Sequence, residues 1–137
     1  STKLKLYRDG PWIKNLDLYI QYTYAATRDI SRGSDTRLPK WPLHQISTIL
    51  SYQPIDSVRA NLEGRYVGER FGNTGNGNPT PSFVLWNLSA SYDVTKSVQA
   101  YLRLDNIFNE KYEETLFFGT PIRSIFGGVR INYDLPL

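Results

Sequence analysis

The chain has 137 residues, enough for one domain, and it contains no cysteine, which excludes disulfides and thiolate metal sites. Its net charge of +3 is scattered along the sequence, so no basic patch for nucleic acid is expected, and a single histidine leaves little for a histidine metal site. No apolar run is long enough for a membrane helix, and no signal peptide is recognisable.

Seven segments alternate apolar and polar residues with a period of two, which predicts extended strands and no helix. In chain order they are residues 2–8, 15–28, 44–52, 58–71, 83–93, 98–108 and 124–135. In the first segment, Leu4 and Leu6 are predicted on one face and Lys3, Lys5 and Tyr7 on the other. The connections 9–14, 53–57 and 94–96 are short, whereas 29–42, 72–82 and 109–123 are long. Short turns on one side and long loops on the other are typical of outer-membrane β-barrels.

The apolar faces of the predicted strands carry no Asp, Glu, Lys or Arg within the proposed membrane-depth segments. Aromatic residues gather near both ends of these faces, as in the two interfacial girdles of a membrane barrel. The girdle toward the short turns would contain Tyr52, Tyr92 and Tyr133, and the one toward the long loops Tyr22, Tyr24, Tyr66 and Trp86. A soluble antiparallel barrel or sandwich with ordinary alternation is the alternative.

Three runs of the sequence match patterns typical of a known protein family: residues 62–71, 85–92 and 102–112. The most specific follows the pattern R-x-x-N-[IL]-F-[ND]-x-x-Y and is carried by Arg103, Asn106, Ile107, Phe108, Asn109 and Tyr112. Two short segments that each precede a predicted strand, 37–39 (Arg-Leu-Pro) and 121–124 (Pro-Ile-Arg-Ser), add to these runs. Together these runs resemble, over essentially the whole chain, the C-terminal barrel region of TonB-dependent outer-membrane receptors.

The resemblance implies an all-β, antiparallel up-and-down transmembrane β-barrel of about 22 strands. Residues 1–137 would supply about seven C-terminal strands of it, without the plug domain or the TonB box that family members carry. Seven strands leave unpaired sheet edges, which lipid does not tolerate. The expected partners are therefore outer-membrane lipid and the rest of the barrel with its plug, in the same protein or a second chain. A TonB complex and a metal-chelate ligand would complete the set, with no nucleic acid, cofactor or resident metal.

By resemblance, the intact protein would import a metal chelate, such as a ferric siderophore, haem or cobalamin, across a Gram-negative-type outer membrane. A passive porin or barrel-type adhesin is the alternative, followed by a soluble β-barrel binding module. No enzyme is predicted, because the carboxylate pairs Asp17/Glu63 and Asp93/Asp105 have no convincing nucleophile or metal constellation beside them. His44 is interpreted as a polar residue near the mouth of a strand rather than a haem or metal ligand.

The long loops are the predicted ligand site, because arginine and aromatic side chains suit a bulky anionic chelate through charge pairing and stacking. The predicted contacts are Arg32, Arg37, Trp41, Arg70, Phe71, Asn73, Asn76, Asn78, Tyr112, Phe117, Phe118 and Arg123. Loops that are merely flexible are the alternative. A second predicted set faces the lumen and forms an ion-pair network, or contacts a plug: Arg59, Glu63, Arg65, Glu69, Arg103, Asp105, Arg130 and Asp134.

Overall fold

The computed structural model describes residues 1–10, 13–27, 38, 40–72, 79–114 and 119–132. Its strands are β1 Thr2–Arg8, β2 Asn15–Tyr24, β3 His44–Gln53, β4 Val58–Val67, β5 Arg70–Phe71, β6 Pro79–Thr80, β7 Phe83–Asp93, β8 Val98–Asp105 and β9 Ser124–Ile131. Seven of them form one antiparallel sheet in the order β1-β2-β3-β4-β7-β8-β9, and β5 pairs only with β6. The predicted up-and-down arrangement is confirmed. Within the described ranges, no helix is long and apolar enough to cross a membrane.

The pairing of the strands separates uncharged, mostly apolar residues on one face of the sheet from the charged residues on the other. Directly paired residues of antiparallel strands share a face, so the register identifies the face of every paired residue. One row crosses all seven strands and contains only leucine and isoleucine: Leu4, Leu18, Leu50, Leu62, Leu88, Leu104 and Ile125. No Asp, Glu, Lys or Arg occupies a paired position on this face, which is called the apolar face below. The opposite, polar face carries the charges of the sheet.

The apolar face is exposed rather than packed. Ile125 is 68% exposed and Val129 62% exposed, values that a sandwich core would not allow. The girdle residues Tyr22, Tyr24, Tyr52, Tyr66, Trp86 and Tyr92 all lie on this face, as predicted. Tyr133 lies outside the described residues.

The predicted facing of β1 is wrong at its C-terminal end. A β-bulge between Lys5 and Tyr7 shifts the register, so that Tyr7 pairs with Leu16 and Arg8 with Asn15. A bulge inserts one residue, which turns the following side chains to the other face. Tyr7 therefore joins the apolar face, in the same row as Tyr52, and Arg8 joins the polar face.

Three predicted strands extend too far at the long-loop end. The segment predicted as 15–28 ends at Tyr24 and the one predicted as 58–71 ends at Val67, because their shared neighbour β3 begins only at His44. Residues 70–71 leave the large sheet and pair with β6 instead. The segment predicted as 98–108 ends at Asp105, since Asn106 adopts a left-handed φ of 51°. The segment predicted as 124–135 is a strand to Ile131, and residues 133–137 are outside the described part.

Buried apolar side chains of the described residues cluster at the long-loop end of the polar face. They are Val67, Phe83 and Leu85, which are 1%, 4% and 8% exposed. Val67 and Phe83 are directly paired, and Leu85 is opposite Arg65, so all three project from the polar face. Tyr112 packs against this cluster from the connection between β8 and β9. The core therefore lies where the long connections meet the sheet.

Candidate ligand-binding site

The connection between β8 and β9 folds back over the polar face of β4 and β7. The ring of Tyr112 lies 4.7 Å from the ring of Phe83, centroid to centroid. Two residues later, a carboxylate oxygen of Glu114 lies 3.1 Å from an Nη atom of Arg65. Both contacts are made to side chains of the polar face. Residues 112–114 consequently lie over the polar face of the sheet.

Arg70 fastens this connection to the preceding one. It is 6% exposed, and its guanidinium lies 5.3 Å from the centroid of the Phe83 ring. Its two Nη groups donate to the backbone carbonyls of Glu113 and Glu114 over 2.6 and 2.8 Å. Burial lowers the pKa of Arg70, while the Glu114 carboxylate opposes that shift, and a guanidinium stays protonated in either case. The backbone N–H of Lys40 donates to the carbonyl of Phe71, so all three long connections are tied together at their bases.

Asn106, the central residue of the most specific sequence pattern, is a buried structural clamp. It is 5% exposed, and its side chain makes a paired contact with Glu110: Oδ1 accepts from the Glu110 N–H at 2.8 Å and Nδ2 donates to the Glu110 carbonyl at 2.9 Å. Its own N–H donates to Oδ1 of Asn87 on β7. Asn109 follows the same logic, since its Oδ1 accepts from the N–H of Arg123 at 3.0 Å. The pattern thus determines how the connection leaves β8 and returns to β9.

The structure brings two of the predicted ligand residues together. Arg70 and Tyr112 both contact Phe83. Phe71 pairs with Pro79 in the β5–β6 ladder, whereas Trp41 is 60% exposed and Arg123 is exposed. The predicted contacts Arg32, Arg37, Asn73, Asn76, Asn78, Phe117 and Phe118 lie outside the described residues.

Two separate cavities lie beside the sheet. The first has a volume of about 580 Å³ and lies along the polar face, where Arg59, Ser91 and Arg130 are among its lining residues. The second, called the loop-end cavity below, has a volume of about 520 Å³ and is lined by Phe83, Lys111 and Tyr112 among others. Volumes of this order are typical of small-molecule sites. Sequence reasoning missed Phe83, Lys111 and Glu114, because nothing in the alternation of strands shows which way a long loop folds.

The predicted lumen charges form ion pairs on the polar face. Arg59 of β4 bonds Asp93 of β7 at 3.1 Å, Gln99 of β8 donates to the same carboxylate at 2.7 Å, and Arg130 of β9 donates to Gln99 at 3.4 Å. This chain of contacts crosses four strands. A second pair joins Arg103 to Asp105 at 2.7 Å.

Other predicted members of this set have separate surroundings. Glu63 lies on the polar face opposite Ile49 and Asn87. Glu69 lies after the end of β4, where the alternation that predicted its facing no longer applies, and Asp134 is outside the described residues. Asp17 is engaged by Lys3 and Arg8 at 3.8 and 3.4 Å rather than by a second carboxylate.

His44 lies on the apolar face as the first residue of β3. Its Nδ1 is 2.8 Å from the hydroxyl of Tyr22, and its ring is 5.4 Å from that of Tyr24. In the described part of the chain, no group of three or more His, Cys, Asp or Glu side chains could hold a metal ion.

The sequence is similar to proteins of one known family. Residues 4–107 match the family described as TonB dependent receptor-like, beta-barrel. The chain is 34% identical over 87 residues to the vitamin B12 transporter BtuB of Vibrio vulnificus, a match that covers 61% of the chain and 14% of that protein.

The fold is similar to three solved receptors. They are the siderophore receptor PiuA of Acinetobacter baumannii (TM-score 0.73, 19% identity), the ferric-catecholate import receptor Fiu of E. coli K12 (0.69, 18%) and the pyoverdine outer membrane receptor FpvA of Pseudomonas aeruginosa PAO1 (0.68, 20%). Each likeness covers 86% of this chain, which spans only 19–20% of those receptors. The described strands are thus a fragment of a larger antiparallel barrel, and the chain belongs to the TonB-dependent receptor β-barrel family.

Proposed function

We propose that this chain forms part of the wall and ligand site of an outer-membrane transporter that imports a metal chelate with energy supplied through TonB. The observation that carries the proposal is the segregation of charge between the two faces of the sheet. Seven paired strands present an apolar face without a charged residue, and lipid requires such a face, whereas the charges line the opposite side. The rest of the barrel, a plug and the TonB complex are the partners that this role requires.

The ligand proposed is a metal chelate with anionic oxygen atoms. The relatives named above carry vitamin B12, siderophore, ferric-catecholate and pyoverdine in their names. The loop-end cavity of this chain combines the aromatic rings of Phe83 and Tyr112 with the cation of Lys111, and Arg70 lies beside it; Glu110 and Glu113 also line the cavity. Rings and cations together favour flat or bulky anionic ligands. No catalytic role is proposed for any residue, and the relatives are named as transporters and receptors.

The proposal is tested by uptake into cells that produce the full-length protein. Radiolabelled ferric catecholate, ferric pyoverdine and cyanocobalamin are supplied separately, with and without a protonophore. We expect uptake of one of these chelates, and we expect it to stop when the proton gradient is collapsed. Uptake that persists without the gradient and depends only on solute size would instead support a passive porin.

A loop variant tests where the ligand binds. Replacement of residues 73–78 by Gly-Gly leaves β5 and β6 in place, and surface loops tolerate such changes cheaply. We expect chelate affinity to fall about tenfold, equivalent to about 1.4 kcal/mol of lost contact, while the barrel still folds. Unchanged affinity in a folded variant would remove this loop from the ligand site.

A further inference from the structure

Two arginines from different parts of the fold converge on one residue, Glu114. Arg65 on the polar face of β4 contacts the carboxylate of Glu114 at 3.1 Å, and Arg70 of β5 donates to its backbone carbonyl at 2.8 Å. Arg70 interacts electrostatically with both Glu114 and Arg65, so the three charges form one local group. The carboxylate of Glu114 therefore lies close to two cationic side chains, Arg65 of β4 and Arg70 of β5.

The two contacts differ in strength. Arg70 is 6% exposed and bonds two carbonyls, and breaking such a contact would leave buried polar groups unpaired. The side chains of Arg65 and Glu114 are 45% and 52% exposed, and exposed ion pairs contribute little because water competes for both charges. The loop backbone is thus firmly held, while the Glu114 carboxylate can leave Arg65 without disturbing it.

We propose that Arg65 is an anion-binding subsite for the transported chelate, and that the Glu114 carboxylate occupies this subsite until an anionic oxygen of the ligand displaces it. The ligand class is a compound with carboxylate or similarly anionic oxygens, which the guanidinium can bind through two parallel hydrogen bonds. The inference rests on the proposed function in that it treats the loop end of the polar face as the ligand site. Arg70 holds the backbone carbonyls of Glu113 and Glu114, so the backbone at Glu114 stays in place when its carboxylate leaves Arg65. Glu114 would then lower ligand affinity and raise selectivity against weakly charged solutes.

Direct titration of the purified full-length protein with citrate, a tricarboxylate probe, tests the subsite. Calorimetry is carried out at low ionic strength, with sodium chloride at matched ionic strength as the blank. Citrate should bind the Glu114→Gln variant about two- to fivefold more tightly than the unaltered protein, the change that loss of one exposed competing charge allows. The backbone bonds to Arg70 are kept in this variant.

Matched variants separate the subsite from general electrostatics. Arg65→Gln should weaken citrate binding at least about fivefold, and Arg65→Lys, which keeps the charge without the planar pair of donors, should lie between. Asp56→Asn also removes one negative charge from an exposed ion pair, with Lys14 at the short-turn end, and should leave citrate binding unchanged.

Three results would overturn the inference: no citrate binding by either the unaltered protein or Glu114→Gln, equal affinity in those two proteins, or unchanged affinity in Arg65→Gln. The titration needs neither TonB nor a proton gradient. If the titration fails, the subsite is ruled out, while chelate import is still tested separately by the uptake measurement. If uptake fails but the titration succeeds, the proposed transport is ruled out and the anion site remains.

Discussion

Asn106 shows how a single buried side chain can explain a sequence pattern that is otherwise only a family signature. Its left-handed backbone turns the chain out of β8, and its amide bonds both backbone groups of Glu110. Asparagine tolerates φ > 0 better than most residues, and its side-chain carbonyl can accept one hydrogen bond while its NH₂ group donates another. Aspartate would lose the donor, and glycine would lose both bonds.

Two substitutions at this position separate the hydrogen bonds from the backbone conformation. Asn106→Gly keeps the left-handed φ without strain but removes the bonds to Glu110, whereas Asn106→Ala also adds the cost of a left-handed alanine. We expect Ala to destabilise the connection by about 1–2 kcal/mol more than Gly. Native-state hydrogen exchange at the Glu110 amide measures the local opening. Equal protection in Asn106→Ala and the unaltered protein would mean that the clamp does not hold this segment.

At the scale of strands, aromatic rings cover glycines across the ladder on both faces. Trp86 lies over Gly64 on the apolar face, where a Cβ atom would come within 2.9 Å of the indole ring. Tyr101 lies over Gly128 on the polar face, with a corresponding distance of 2.6 Å to its hydroxyl. Aromatic cover of this kind offsets the weak packing of a glycine in a strand.

Gly64→Ala should therefore destabilise the barrel by about 1–3 kcal/mol through overpacking against the indole of Trp86. The matched control is Gly127→Ala, also on the apolar face, where a Cβ atom has its nearest contact at an ordinary 3.6 Å. That change should be neutral or slightly stabilising, since alanine restricts the unfolded chain. Denaturant unfolding in detergent, with tryptophan emission as the probe, reports both. Equal effects at the two glycines would contradict the packing argument.

The two faces of β7 should differ in how well they tolerate a charge. Leu88 belongs to the row of leucine and isoleucine side chains that crosses the apolar face, and Ser89 is paired with Asn61 and Arg103 on the polar face. Leu88→Lys should cost about 2–4 kcal/mol if this row lies near the middle of the bilayer, because a charge must then leave water for lipid. Ser89→Lys should cost far less. Similar unfolding free energies for the two variants in lipid would argue against a membrane-facing apolar surface.

Most of the sheet could be predicted from the sequence, because a period of two is a local property of each strand. The apolar faces of the strands after β1 and the boundaries of β7 agree with the prediction, and the three short turns agree to within one residue. The bulge before Tyr7 could not be predicted, since it depends on how β1 meets β2. The burial of Arg70 and the fold-back of Tyr112 were likewise inaccessible, because they depend on contacts between connections that are far apart in sequence.

For the molecule as a whole, the exposed apolar face and the edges at β1 and β9 decide how the isolated chain behaves. In water without detergent, residues 1–137 should aggregate, because nothing covers the apolar face and open strand edges pair with other chains. Sedimentation velocity measures this, with the same chain in detergent micelles as the control. A monodisperse monomer that melts cooperatively in buffer would point to a soluble barrel.

The bulge in β1 sets a condition on any strand that pairs with its outer edge. Leu4 and Tyr7 both lie on the apolar face although they are three residues apart, whereas regular strands repeat every second residue. On the inner edge of β1, β2 keeps strict alternation across the bulge, because Leu18 and Leu16 pair with Leu4 and Tyr7 and Leu6 is left without a partner in the ladder. A strand on the outer edge must meet the same condition, either by skipping one residue of β1 at this level or by carrying an extra residue of its own. A neighbour that paired with every residue of β1 would turn its polar side chains toward lipid beyond the bulge.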